Sequence, residues 1–263
     1  MRPTTISAWL SLGLTIGLTI GGIARTAWAR NQPRSEAAVV QVPEEAATCA
    51  RLPNKAVLLT FDDGPHPRHT DEIREILSER GIKAIFFEVG SKVGSIVDGH
   101  VVPTPAAAVS RRLAAAGFVI GNHTVDHAAL ATLGDEEILA EIDLANRILR
   151  DISGSTPLFF RAPYGEQQRK VEAMIAARGM TLLSWDIDSR DWDGSRPRAI
   201  AERVLAGLEE KGRGIVLFHD THGQTVKALP MLLDVLIARG CHFVSPEAFL
   251  GISSPACRAR PGK

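Results

Sequence analysis

The chain has 263 residues, 45% of them hydrophobic and 23% charged, and thirty Lys and Arg balance thirty Asp and Glu. Those proportions exclude a wholly disordered or fibrous chain, and the lack of net charge argues against a nucleic-acid binder or charge-driven attachment to an anionic membrane. Three cysteines without a C-x-x-C pair exclude a disulfide scaffold or zinc ribbon, so an ordinary apolar core must hold the fold.

At the N-terminus, Arg2 precedes an uncharged run from Ile6 to Ile23, and Ala27-Trp28-Ala29 follows. A basic start, an apolar stretch and a small-x-small site read as a secretory signal cut after Ala29; the alternative is an uncleaved N-terminal anchor over residues 1–29. Both readings export the rest of the chain, to the periplasm or beyond the cell. Residues 30–54 contain Pro33 and Pro43 without periodicity and read as a linker, and residues 251–263 read as a tail. Export permits disulfides, so a Cys49–Cys257 bridge is one expectation and two free thiols the other. Cys241 opens an apolar stretch and reads as a small core residue.

Residues 55–250 read as one domain. Ala56 to Thr60 is a short, continuously apolar run, as expected of a strand buried on both faces. A helix over Asp71 to Arg80 follows, stopped by Gly81. The alternation continues with strand Ala84 to Phe87, helix Ala106 to Ala116 and strand Phe118 to Gly121. Asp135 then opens a helix whose Ile138, Leu139, Ile142, Ile148 and Leu149 share one face. Strand Leu158 to Phe160, helix Lys170 to Arg178 and strand Thr181 to Trp185 come next. Helix Ala199 to Glu210, strand Gly214 to Phe218, helix Val226 to Arg239 and strand Cys241 to Val244 complete the series. The expected architecture is α/β, a distorted (β/α) barrel of about seven parallel strands, with an open sheet as the alternative.

In either architecture, function collects at the carboxyl ends of the strands. Five expected strands end there in Asp62-Asp63-Gly64-Pro65, in His123-Thr124-Val125-Asp126-His127, in Arg161 to Gly165, in Asp186 to Trp192, and in His219-Asp220. The acidic pair divides naturally into a metal ligand and a proton acceptor, although Asp, Gly and Pro also make plain turns. His123 and His127, four residues apart, suit one side of a helical turn and one metal ion. With Asp63 they make a two-histidine, one-carboxylate set that leaves coordination positions open. Arg161 near Asp62 would hold that carboxylate ionised and aimed. His219 reads either as a core histidine or as a general acid opposite Asp62. His66, His69, His100, His222 and His242 read as solvated or structural.

Thr60 to Pro65, His123 to His127, Arg161 to Gly165, Asp188 to Trp192 and Leu217 to Asp220 resemble, in order, the five motifs of the polysaccharide deacetylases, the NodB-homology group of carbohydrate esterase family 4. The resemblance implies a distorted barrel that hydrolyses N-acetyl, and in some members O-acetyl, groups on a cell-envelope or extracellular glycan such as peptidoglycan or a chitin-type polymer. It implies one divalent ion, zinc first and cobalt second, on Asp63, His123 and His127. Asp62 is implied as the base oriented by Arg161, and His219 as the acid tuned by Asp188. The Tyr164 N–H is implied as oxyanion donor, and Trp192, Leu217 and Pro163 as the acetyl pocket. The expected partner is an N-acetylated polysaccharide, the expected state a monomer, and Gly94 to Pro105 is expected to shape a groove wall. A different amide hydrolase on the same barrel and a non-catalytic glycan binder are the alternatives.

Overall fold

A computed structural model describes residues 55–166 and 168–250. The signal or anchor, the linker, the tail, Cys49 and Cys257 therefore lie outside the described residues. Ten strands and eight helices follow in chain order: β1 Ala56–Gly64, α1 His69–Glu79, β2 Ala84–Glu88, α2 Gly90–Val93, β3 Gly94–Val97, β4 His100–Pro103, α3 Ala107–Ala115, β5 Val119–Asn122, α4 Asp135–Ser153 and β6 Phe159–Phe160. They continue with α5 Arg169–Ala176, β7 Thr181–Leu182, β8 Ile187–Asp188, α6 Pro197–Lys211, β9 Gly214–His219, α7 Gly223–Ala238, β10 His242–Phe243 and α8 Pro246–Leu250. The main sheet is parallel in the order β7-β6-β5-β2-β1-β9-β8, with β10 paired to the start of β1. No described helix is long and apolar enough to cross a membrane.

Strand parity organises the core. Side chains alternate between faces along a strand. Ala56, Leu58, Ile85, Phe87, Phe159, Leu183 and Ile215 line the barrel interior, which Phe249 of α8 joins. Their neighbours Val57, Leu59, Phe61, Phe86, Val216 and Phe218 face the surrounding helices. Carried two or four residues further along the interior face, the same parity puts Asp62, His123, Arg161 and His219 into the barrel mouth. Removing one of the packed side chains, Leu58→Ala for example, costs about 2–5 kcal/mol.

The barrel is not closed. Of the expected strand Thr181 to Trp185 only Thr181–Leu182, β7, is a strand, and the next short strand, β8, lies at the opposite edge of the sheet. The Leu183 N–H still donates to Phe160 O at 2.8 Å, whereas the Asp186 N–H donates to Ile215 O at 2.9 Å. The four residues 183–186 thus cross the seam instead of continuing one ladder. Arg161 fills the seam from inside, donating through Nε to Leu183 O (3.0 Å) and through Nη2 to Ser184 O (3.1 Å).

Gly94 to Pro105 forms an antiparallel hairpin, β3–β4, in place of a groove wall. Asp98 and Gly99 both take positive φ, 48° and 76°, which is the two-residue turn whose twist suits a hairpin. None of its residues lines the cavity at the carboxyl ends of β1 and β9. It lies against α4, where Gly94 meets Ile148 and the Arg147 guanidinium donates to Gly99 O.

Candidate active site

β1 carries two functional carboxylates through one irregularity. Asp62 pairs with Phe87 and Gly64 with Glu88, so Asp63 is an extra residue in the ladder. In a regular strand the two aspartates would face opposite sides of the sheet. The bulge, with Asp63 at φ 71°, brings both to the mouth. Gly64 is required by crowding, because a Cβ there would lie 2.2 Å from the Asp220 carboxylate.

Asp63 Oδ1 lies 3.0 Å from His127 Nε2 and 3.3 Å from His123 Nε2. These are the one group of three metal-type donors found among the described residues, with ligand atoms within 4.8 Å of one another. His123 Nδ1–H donates to Arg161 O at 2.8 Å, which leaves the Nε2 lone pair facing Asp63. Asp63 Oδ1 is buried and has no hydrogen-bond donor of its own. Three electron-pair donors converging on a point without a proton between them fit a divalent ion. The histidines do not sit on a helical turn as the spacing suggested. Thr124 and His127 take positive φ, 65° and 57°, and the loop between them bends both rings inward, their centroids 4.9 Å apart.

Asp62 is buried, and its Oδ1 accepts from Arg161 Nη1 at 2.7 Å. The same Nη1 donates to Thr60 Oγ1 at 2.8 Å, and the guanidinium lies 4.3 Å from the Phe87 ring centroid. Arg161 thus arrives fully ordered, as a charge-assisted partner for one specific oxygen.

His219 lies directly opposite Asp62 in the β1–β9 register. Its ring partner is Asp191, not Asp188 as the sequence suggested. His219 Nδ1 donates to Asp191 Oδ1 at 2.7 Å, and its backbone N–H donates to Asp191 Oδ2 at 2.8 Å. Thr225 Oγ1 completes the carboxylate at 2.5 Å. Burial lowers the imidazole pKa, but the Asp191 hydrogen bond and charge, with Asp62 and Asp63 behind them, outweigh it and push the value up to about 9. Asp188 is instead held by the turn: its Oδ1 accepts from the Arg190 N–H at 2.7 Å. Both aspartates were within reach in the sequence. Arg190, at φ 51°, reverses the chain between them and sends the second one back to β9.

A cavity of about 400 Å³ joins these groups. Asp62, Asp63, His123, His127, Tyr164, Asp188, Trp192, Leu217 and His219 all line it. Pro163 does not; it is buried, and Ala162, Tyr164 and Gly165 of the same turn line the cavity in its place. Trp185, which sequence reasoning passed over, lines the cavity and packs against Gly165, where a Cβ would lie 2.5 Å from its ring. Tyr164 takes positive φ, 60°, and its ring meets His127 edge-on at 4.8 Å.

The family model for polysaccharide deacetylases matches residues 50–183. The chain is 33% identical over 202 residues to a peptidoglycan-N-acetylglucosamine deacetylase of Bacillus cereus, covering 74% of this chain and 69% of the relative. It is 31% identical over 200 residues to a chitooligosaccharide deacetylase of Azorhizobium caulinodans, covering 70% and 90%. Against the peptidoglycan-N-acetylglucosamine deacetylase of Listeria monocytogenes it is 32% identical and spans 42% of that protein's length. Among solved structures, a family 4 carbohydrate esterase from Streptomyces lividans in complex with acetate superposes with a TM-score of 0.63 at 29% identity, covering 74% of this chain and 95% of the other. A family 4 pseudoenzyme from Bacillus anthracis shares the fold at 24% identity and a TM-score of 0.64, over 72% and 62% of the two chains. The fold alone therefore does not establish turnover.

A parallel half-barrel with a buried Asp–Arg pair and a His–Asp pair beside a metal-type triad is the scaffold shared with the carbohydrate esterases above. This chain belongs to the polysaccharide deacetylase family, hydrolases of carbon–nitrogen bonds other than peptide bonds.

Proposed function

We propose that this chain is an exported, metal-dependent hydrolase that removes N-acetyl groups from a cell-envelope polysaccharide of the N-acetylglucosamine type. The observation that supports it most is that Asp62, held from behind by Arg161, His219, held from behind by Asp191, and the Asp63, His123, His127 triad all line one cavity. Relatives named for peptidoglycan and chitooligosaccharide deacetylation favour that substrate class.

Asp63, His123 and His127 would hold one divalent ion, with zinc as our assignment. Such an ion polarises the amide carbonyl and acidifies water. Asp62, fixed by Arg161, takes the proton of the attacking water. The Tyr164 N–H donates to the oxyanion as the carbonyl becomes tetrahedral. His219 delivers its proton to the departing amine, a poor leaving group unless protonated. Asp191 keeps that proton on the ring and aims it. Trp192 and Leu217 receive the acetyl methyl.

Acetate release from peptidoglycan, chitin oligomers and acetylxylan tests the reading. Release from the first two supports amide hydrolysis, and release from acetylxylan adds O-acetyl esters. Glycan binding with no acetate from any of them overturns it in favour of a binding protein. In His123→Ala, little zinc should survive dialysis; full occupancy overturns the ligand assignment.

A further inference from the structure

With Asp191 on the His219 ring, Asp188 remains a carboxylate in the cavity without a part in the hydrolytic steps. It ends β8 opposite Leu217 in the β8–β9 register, and both residues line the cavity. Its Oδ1 is committed to the Arg190 N–H at 2.7 Å, which fixes the plane of the carboxylate. No hydrogen bond or ion pair engages its other oxygen among the described residues. The Arg190 side chain does not supply one: Nε lies 3.4 Å from Asp193, and the guanidinium sits 5.7 Å from the Trp192 ring centroid.

The surroundings fit a sugar ring. Trp192 and Tyr164, 51% and 70% exposed, place aromatic surface in the same cavity. An aromatic face takes the C–H side of a pyranose, and a pre-oriented carboxylate oxygen takes a hydroxyl, which donates to it in a strong, charge-assisted bond. The two other carboxylates in the cavity have parts in the reading above, Asp62 beside Arg161 as the base and Asp63 in the metal-type triad. Asp188 is the remaining one that can read hydroxyls.

We infer that Asp188 is a specificity-determining residue, accepting a hydrogen bond from a ring hydroxyl of the acetylated sugar and so selecting a hydroxylated pyranose over other acetylated compounds. This rests on the deacetylase reading above.

The test compares the full chain with Asp188→Asn and Asp188→Ala on chitin-type oligomers and on 4-nitrophenyl acetate, which offers an acetyl group without a sugar. Asn keeps an oxygen for the Arg190 N–H and removes only the charge. For Asp188→Asn we expect KM on the oligomer to rise about ten- to a hundred-fold, the range of a lost charged hydrogen bond. Ester hydrolysis and the alkaline limb of the pH profile should stay as in the wild type, because the His219–Asp191 pair is untouched. Asp188→Ala, which also loses the acceptor for the Arg190 N–H, should raise KM on the oligomer at least as much and leave the ester the less affected substrate. Wild-type kinetics on the oligomer in Asp188→Asn would overturn the inference. So would equal losses on both substrates with a shifted alkaline limb, which would make Asp188 a positioning residue for Asp191. If the wild type releases no acetate from any glycan, the deacetylase reading falls, and this inference falls with it.

Discussion

At the scale of single residues, the pair that most sharply distinguishes this site is His219 and Asp191. A histidine pushed up to about 9 is protonated across the neutral range, the form a general acid needs. Activity should therefore hold through neutrality and fall as pH rises past about 9. Asp191→Asn removes the charge that raises the ring, so the alkaline limb should move toward the ordinary histidine value of 6.5. The loss in kcat/KM at neutral pH should be on the order of 10²- to 10⁴-fold. Measuring kcat/KM against pH, with metal content checked in the same samples, decides it. An unmoved limb means that another group supplies the proton. The same pair contributes to folding in the opposite sense from a paired carboxylate: a raised imidazole stabilises fully below 6.5, and the contribution disappears as pH rises through about 9.

At the scale of elements, the loop after β5 shows how a helix holds ligands it does not contain. Glu141 of α4 accepts the N–H groups of Val125 and Asp126 through one oxygen, both at 3.0 Å. Asn122 accepts the Thr124 N–H at 2.7 Å and donates to Ile142 O and Asn146 Oδ1. These bonds hold two non-glycine residues in left-handed conformations, each costing about 1–3 kcal/mol when unsupported. Glu141→Ala should therefore weaken divalent-metal binding about 10- to 100-fold in a chelator competition, whereas Glu141→Gln, which keeps an acceptor, should lose much less. The β3–β4 hairpin gives the converse case. Gly99→Val places a branched residue at φ 76° and should cost about 1–2 kcal/mol in thermal unfolding, with kcat/KM unchanged because the cavity is elsewhere.

These elements also mark what the sequence made legible. Apolar runs located β1, β2, β5 and β9 to within a few residues, because strands buried on both faces need such runs. The position of the acidic and histidine residues at strand ends then pointed to the right rim. Asp98-Gly99, a strong hairpin signal, lay in the segment assigned to a groove wall. The choice between Asp188 and Asp191 depended on the backbone reversal at Arg190, which spacing does not encode. The seam was hidden for a similar reason: Thr181 to Trp185 has a strand's composition, and only the partners of Leu183 and Asp186 show the crossing.

At the scale of the whole molecule, two buried acids behind the site set the pH response of folding. Burial pushes Glu88 up to about 8, against a hydrogen bond from Ser110, and pushes Asp220 up to about 7, against one from Thr70. Both fold in the neutral form while the unfolded chain ionises them above about 4, so stability should fall as pH rises from there toward 8. Melting temperature measured across that window should decline, and Glu88→Gln should flatten part of the slope and raise stability at the alkaline end. A flat profile in the wild type would show that neither acid is neutral in the fold.

The open seam carries one more consequence. The guanidinium that spans it is also the one that orients Asp62, so the wall and the base share a single fastening. If the crossing segment moves away, Arg161 gives up Leu183 and Ser184, and its grip on Asp62 slackens in the same movement. One side chain therefore couples the seam to the Asp62 carboxylate, and a change at either end is felt at the other.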